Sequence, residues 1–181
     1  MSKPNQQRPF DPASFTLHTQ ENFYTPQDLE AAARNWPVEE VAKAFAAYRA
    51  AVDVGDHDKM TAMLTEDGRG GNATYGFFHD PASYRQFLQD CWLEIIPNYN
   101  MWQTIDGGRV VNKWCEVLPG DPPGGGRYDY FGINEVIYAG GGRFRMMYSM
   151  PDLFGLTVLY QRWKADGHDE TYGDLYPSLG G

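Results

Sequence analysis

The chain predicts an α+β fold, on two observations. Segments with a helical repeat of apolar residues come first, and from Tyr99 onward the pattern changes to strand-like runs. Those runs are joined by short glycine-containing connections, which make consecutive strands antiparallel neighbours.

Residues 1–24 are polar, proline-containing and without period, and read as an N-terminal arm. One domain is expected over 25–165. Thr25 and Pro26 supply an N-cap and first position for TPQDLEAAARN. Pro37, Glu39 and Glu40 open the next helix, where Val38, Val41, Phe45, Tyr48 and Val52 recur at intervals of three and four and share one face. A tyrosine inside that apolar stripe raises a question of its own, because a buried phenol needs a hydrogen-bond partner or a ligand. Gly55 ends this helix and Asp56 caps HDKMTAMLTED. Asp80 and Pro81 open the clearest helix, with Tyr84, Phe87, Leu88, Cys91, Trp92 and Ile95 on one face. The DGG of residues 106–108 turns the chain into RVVNKWCEVL, and the loop 119–127 leads to YDYFGINEVIYA. AGGG then turns into RFRMMYSM. Asp152 caps a last helix, LFGLTVLYQRWKA, and residues 166–181 return to a polar tail.

A length of 181 residues with 42% hydrophobic content suits a single domain with a sizeable core. The net charge of -9, with no local cluster of lysine or arginine, opposes a grip on phosphate backbones, so nucleic acid is not an expected partner. No apolar run approaches the roughly 20 residues that span a bilayer, and the first residues lack an apolar leader; no membrane association and a cytoplasmic location are expected. Cys91 and Cys115 fall inside regular elements without metal-type spacing. The 15% aromatic content favours a pocket walled by rings.

Several common chemistries are missing. GRGGN and PPGGGR lack the lysine and hydroxyl residue of a phosphate loop and read as turns. There is no His-Glu-x-x-His pair and no Gly-x-Ser-x-Gly elbow. DVGDHD reads as a helix end followed by a cap, not as a metal site, and neither metal nor cofactor is expected. His79 stands at a helix start; His18 and His168 lie in the tails.

The FAAYRAAVDVGD helix, the Gly55-Asp56 corner, LTEDG, a short strand, a third helix and the long meander with YFGINEVIYAGGGRF before Pro151-Asp152 resemble the nuclear transport factor 2-like, or SnoaL-like, superfamily over about residues 36–165. The resemblance implies a cone-shaped α+β barrel in which three N-terminal helices and a curved antiparallel sheet enclose a pocket. Similar members include ketosteroid isomerase, scytalone dehydratase, limonene epoxide hydrolase and polyketide cyclases, which do proton chemistry without a cofactor. Fold alone does not choose among them.

On that resemblance Tyr48 matches the tyrosine that donates to the oxyanion in ketosteroid isomerase. Asn72 stands where that enzyme has its aspartate base, and Asn134 where it has a protonated aspartate donor. An amide takes no proton from carbon, so Asn72 is not a base, whereas Asn134 still donates. In the epoxide hydrolase an asparagine at the Asn72 position helps orient water. Strand alternation puts Asn112, Trp114 and Glu116 on one face, which makes Glu116 the candidate base. The epoxide hydrolase's strand aspartate also aligns with Glu116, but its arginine falls near Trp114 and its second aspartate near Ser149.

The expected function is a cofactor-independent lyase or cyclase, with dehydratase-like proton chemistry on a small apolar cyclic or polyketide-like carbonyl compound. Glu116 would remove the proton, Tyr48 and Asn134 would hold the enolate oxygen, and Asn72 with Ser149 would orient a leaving hydroxyl. Tyr75, Trp92, Trp114, Tyr130 and Met147 would wall the pocket, with Asp152 at its edge. Asp152 also reads as a helix cap, and Asp152 and His79 are the alternative bases. A non-catalytic ligand-binding or dimerisation module of the same fold is the competing class, and isomerase or epoxide hydrolase chemistry is a further alternative. The expected partners are a small apolar organic ligand and a second copy of the chain, paired through the outer face of the sheet.

Overall fold

The structure, a computed structural model, describes residues 23–73, 76–91 and 98–168, with backbone alone for Asp90 and Cys91. Tyr75, Trp92 and Ile95 lie outside the described residues, as do the Cys91 side chain, the arm up to residue 22 and the tail beyond residue 168. Helix α1 (Pro26–Ala33), α2 (Val38–Asp53) and α3 (His57–Ala62) are followed by β1 (Leu64–Asn72), β2 (Gly76–Phe78) and α4 (Pro81–Cys91). The meander is β3 (Asn98–Asp106), β4 (Arg109–Leu118), β5 (Tyr128–Gly140) and β6 (Arg143–Pro151), closed by α5 (Leu153–Ala165). The strands form one curved, unclosed sheet in the order β2-β1-β6-β5-β4-β3, antiparallel except where β1 runs parallel to β6.

The caps behave as their residue types dictate. Thr25 Oγ1 accepts from Asp28 N while Asp28 accepts from Thr25 N, a reciprocal box that fixes α1. Asp56 accepts from Lys59 N at the start of α3, and Asp152 from Gly155 N at the start of α5. Gly55, with φ of 63°, makes the corner between α2 and α3.

The inner face of the sheet carries the main core. Val41, Phe45, Tyr48 and Val52 of α2 pack with Met60, Tyr84 and Leu88 against Val110, Val136, Phe144 and Met147. Val38 departs from the expected stripe: it is the first residue of α2 and is 56% exposed. A second cluster continues the same face, where α5 lays Leu156 and Trp163 over Trp114, Leu118, Tyr128 and Tyr130. On the outer face, Ala31 and Ala32 of α1 cover Ile137, Met146 and Tyr148. Phe23 and Tyr24 extend that cover, Phe23 edge-on to Tyr148 and Tyr24 donating to Glu135 at 2.7 Å.

Two further expectations are corrected. LTED does not prolong α3; it begins β1, because Leu64 pairs with Phe144 of β6 and is buried there. GRGGN is not a turn but the rest of that strand. Its glycines serve close packing: a Cβ on Gly70 would overlap the Tyr84 ring, and one on Gly71 would overlap the carbonyl of Gly76. Alternation of apolar residues cannot reveal a strand built of glycines.

Candidate functional site

Register assembles the polar residues of the inner face. Asn112 lies opposite Asn134, Asn134 opposite Ser149, and Ser149 opposite Asn72, so four polar side chains cross β4, β5, β6 and β1 in one transverse row. Neighbouring strands are about 4.8 Å apart, which gives the row the length of a polycyclic molecule. Asn134, Ser149 and Asn72, all expected at the site from the sequence, are thus brought together. Asn112, which is fully buried, belongs with them.

Within the row Asn134 is oriented by a neighbour. Trp114 Nε1 donates to Asn134 Oδ1 at 2.8 Å, which turns the Asn134 amino group away from the indole. That arrangement depends on Gly132, since a Cβ there would overlap the Trp114 ring. Asn112 donates to Asn100 Oδ1 at 3.0 Å, leaving its own buried Oδ1 with no partner among the described residues. Tyr48 is 5% exposed, and its hydroxyl makes no hydrogen bond to a described residue. Burial pushes the phenol up to about 12, partly offset by the Arg49 charge, so at neutral pH it is a proton donor. Tyr84, beside it in the core, is likewise raised, by burial and by Tyr48.

Glu116 faces the same side as Asn112 and Trp114, as alternation predicts, and is 9% exposed. Tyr130 donates to its Oε2, and Asn98 Nδ2 donates to its Oε1 at 2.6 Å. Burial raises the carboxyl to about 7, against the opposing pull of the Asn98 hydrogen bond and the Arg49 charge. The group is therefore poised between its acid and base forms near neutrality. Tyr130 stands edge-on to Trp114 with ring centroids 5.7 Å apart. Four residues of β4, about 13 Å, separate Glu116 from the row of Asn112, with Trp114 between them along the strand and leaning over Gly132 of β5. Carboxyl and amide row thus occupy two ends of one face rather than a single point.

Arg49 and Asn98 were missed by sequence reasoning. Arg49 Nη2 donates to Asn98 Oδ1 at 2.6 Å and to Asp53 at 2.9 Å. The only sequence signal was a basic residue next to Tyr48 on a buried face. Beside this pair a groove of about 380 Å³ opens between α2 and β3, lined by Ala46, Arg49, Asp53, Asn98, Asn100 and Gln103 among others. Met147 is buried in the main core beneath α2 and α4. Asp152 is exposed and occupied as the α5 cap; His79 is exposed, its imidazole lowered by burial and by the Arg69 charge. No group of three or more metal-ligating side chains occurs among the described residues, and no described helix is long and apolar enough to cross a membrane.

No protein-family model and no curated protein matches the sequence. Solved structures do. A proposed SnoaL-like polyketide cyclase from Jannaschia sp. CCS1 superposes with a TM-score of 0.58 at 13% identity, over 69% of this chain and 94% of the other. An LEH-like epoxide hydrolase of M. tuberculosis gives a TM-score of 0.56 at 16% identity, over 70% and 93%. A proposed polyketide cyclase from Xanthomonas campestris gives 0.54 at 21%, over 71% and 96%. At these identities the likeness is one of backbone, and it agrees with the order of helices and strands described above: the chain has the nuclear transport factor 2-like, SnoaL-like α+β cone fold.

Proposed function

We propose that the protein is a cofactor-independent lyase or cyclase acting on a small, apolar, polycyclic or polyketide-like carbonyl compound. The observation that carries this reading is Glu116: a carboxyl buried on the inner face, raised to about 7, with Tyr130 and Asn98 holding it. A carboxylate has about four lone-pair sites, so two remain for a substrate proton. Tyr48 and the Asn134 amino group are donors without protein acceptors among the described residues, suited to an oxygen that gains negative charge.

The span of about 13 Å between base and amide row favours a conjugated substrate. Removal of a proton near Glu116 sends the electron pair along the conjugated framework to an oxygen at the far end, where the donors receive it. The pair then returns from that oxygen, either to expel a hydroxyl held by Asn72 and Ser149 as hydroxide, which the proton released from Glu116 converts to water through solvent, or to attack a second carbonyl with ring closure, the new alkoxide taking up that proton. Tyr75 and Trp92 belong to this reading as wall residues on sequence grounds.

The competing reading, a ligand-binding module, draws on one observation: both Glu116 oxygens already hold protein donors. The test is a screen of aromatic hydroxy-ketones and polyketide-like phenols for loss of water or ring closure. On any compound turned over, kcat/KM should rise with pH through about 7 as Glu116 ionises. Tyr48→Phe should slow it by roughly 100- to 1,000-fold. Binding without turnover of any compound, unaffected by pH, would support the module instead, and a flat pH profile on a compound that is turned over would remove Glu116 as the base.

A further inference from the structure

Glu116 is reached from α2 by a chain of side chains. Arg49 Nη2 donates to Asn98 Oδ1 at 2.6 Å and to the Asn98 main-chain oxygen at 3.2 Å; Asn98 Nδ2 donates to Glu116 Oε1 at 2.6 Å. A guanidinium only donates, and an amide has one accepting end and one donating end. With Arg49 on its oxygen, Asn98 must present its amino group to the carboxyl.

We propose that Arg49 is a positioning residue for Glu116, acting through the side-chain amide of Asn98. The proposal rests on the reading of Glu116 as the base. Its physical content is an orientation. Freed from Arg49, the Asn98 amide can turn its oxygen to the carboxyl, which stabilises the acid form; held by Arg49, it stabilises the carboxylate a base needs. The guanidinium suits this use. Arg49 is 7% exposed, and its Nε and Nη1 are buried without partners among the described residues, an expensive placement for a charge with no role beyond the exposed Asp53. The groups facing the carboxyl are Arg49 from α2, Asn98 from β3 and Tyr130 from β5, with Asp53 beyond Arg49 at the groove.

The experiment is an isotope-edited infrared titration of the full, ligand-free chain, following the carboxylic-acid C=O band that Glu116→Gln removes. Arg49→Met should raise the midpoint by about one unit or more, and Arg49→Lys, which keeps a charged donor, should return it towards the native value. In an Asn98→Leu background the effect of Arg49→Met should shrink by about half or more, because the link is gone. An unchanged midpoint in Arg49→Met, or an equal effect with and without Asn98, would overturn the proposal. Should Arg49→Met fail to fold, Arg49→Gln takes its place in the native and Asn98→Leu backgrounds: a raised midpoint that shrinks without Asn98 is expected, and an unmoved midpoint or an equal effect in both backgrounds refutes the relay. The readout uses no substrate, so failure of the relay and failure of the catalytic reading are separate results.

Discussion

Glu116 is held where its neutral form is favoured, and that has a consequence for stability. Its carboxyl is raised from 4.5 to about 7 in the fold, so the folded chain binds the proton more tightly than the unfolded chain does. The associated stability is fully present below the unfolded carboxyl range and is lost as pH rises through about 7. Glu116→Gln has no proton to lose. Relative to the native chain it should therefore gain on the order of 3 kcal/mol between about pH 4 and pH 8, measured by urea unfolding at both ends. A difference independent of pH would mean that the carboxyl is not buried as described. Asp28 is buried among cations. It is nearly fully buried, caps α1, and pairs with Arg69 and with Arg145 at 3.3 Å. Asp28→Ala would strand the Arg69 charge, and a loss of about 3–5 kcal/mol in the same assay is expected. Alternation put Glu116 on one face with Asn112 and Trp114, and the fold makes that face the inner one; nothing local marked Arg49, Asn98 or Asp28, whose partners lie 49, 18 and 41 residues away in the chain.

At the scale of elements, β1 and β5 show how glycine sets the site. Gly132 leaves room for the Trp114 indole to cross β5 and hold Asn134. Gly132→Ala should displace that ring, release Asn134, and quench or shift the Trp114 fluorescence, with substrate or ligand affinity falling at the same time. An unchanged emission spectrum would contradict the assigned packing. The helices and the meander were legible because their apolar period and glycine turns are local signals. The strand LTEDGRGGN was not, since its pairing with β6 is remote and its glycines carry no period. The transverse row was legible only in part: residue types were visible, but which strands align at Asn112, Asn134, Ser149 and Asn72 is a property of register.

Over the whole molecule, the outer face is divided. Phe23, Tyr24 and α1 cover β5 and β6, while Tyr99, Trp102 and Ile133 leave large apolar surfaces exposed on β3 and β5. A homodimer through this uncovered part is expected, so light scattering should return twice 20.5 kDa at micromolar concentration, and Trp102→Glu should return the single-chain mass. A monomeric native chain would contradict that pairing. Inside the cone, the claim that matters most is that Glu116 takes the proton. It is tested most directly by single-turnover measurement of Glu116→Gln beside the native chain, on a hydroxy-ketone or phenol from the screen, at a pH about one unit above the Glu116 midpoint. The amide keeps the shape of the site and cannot accept the proton, so ligand affinity should be retained while turnover falls to background. Turnover equal to that of the native chain would contradict the account.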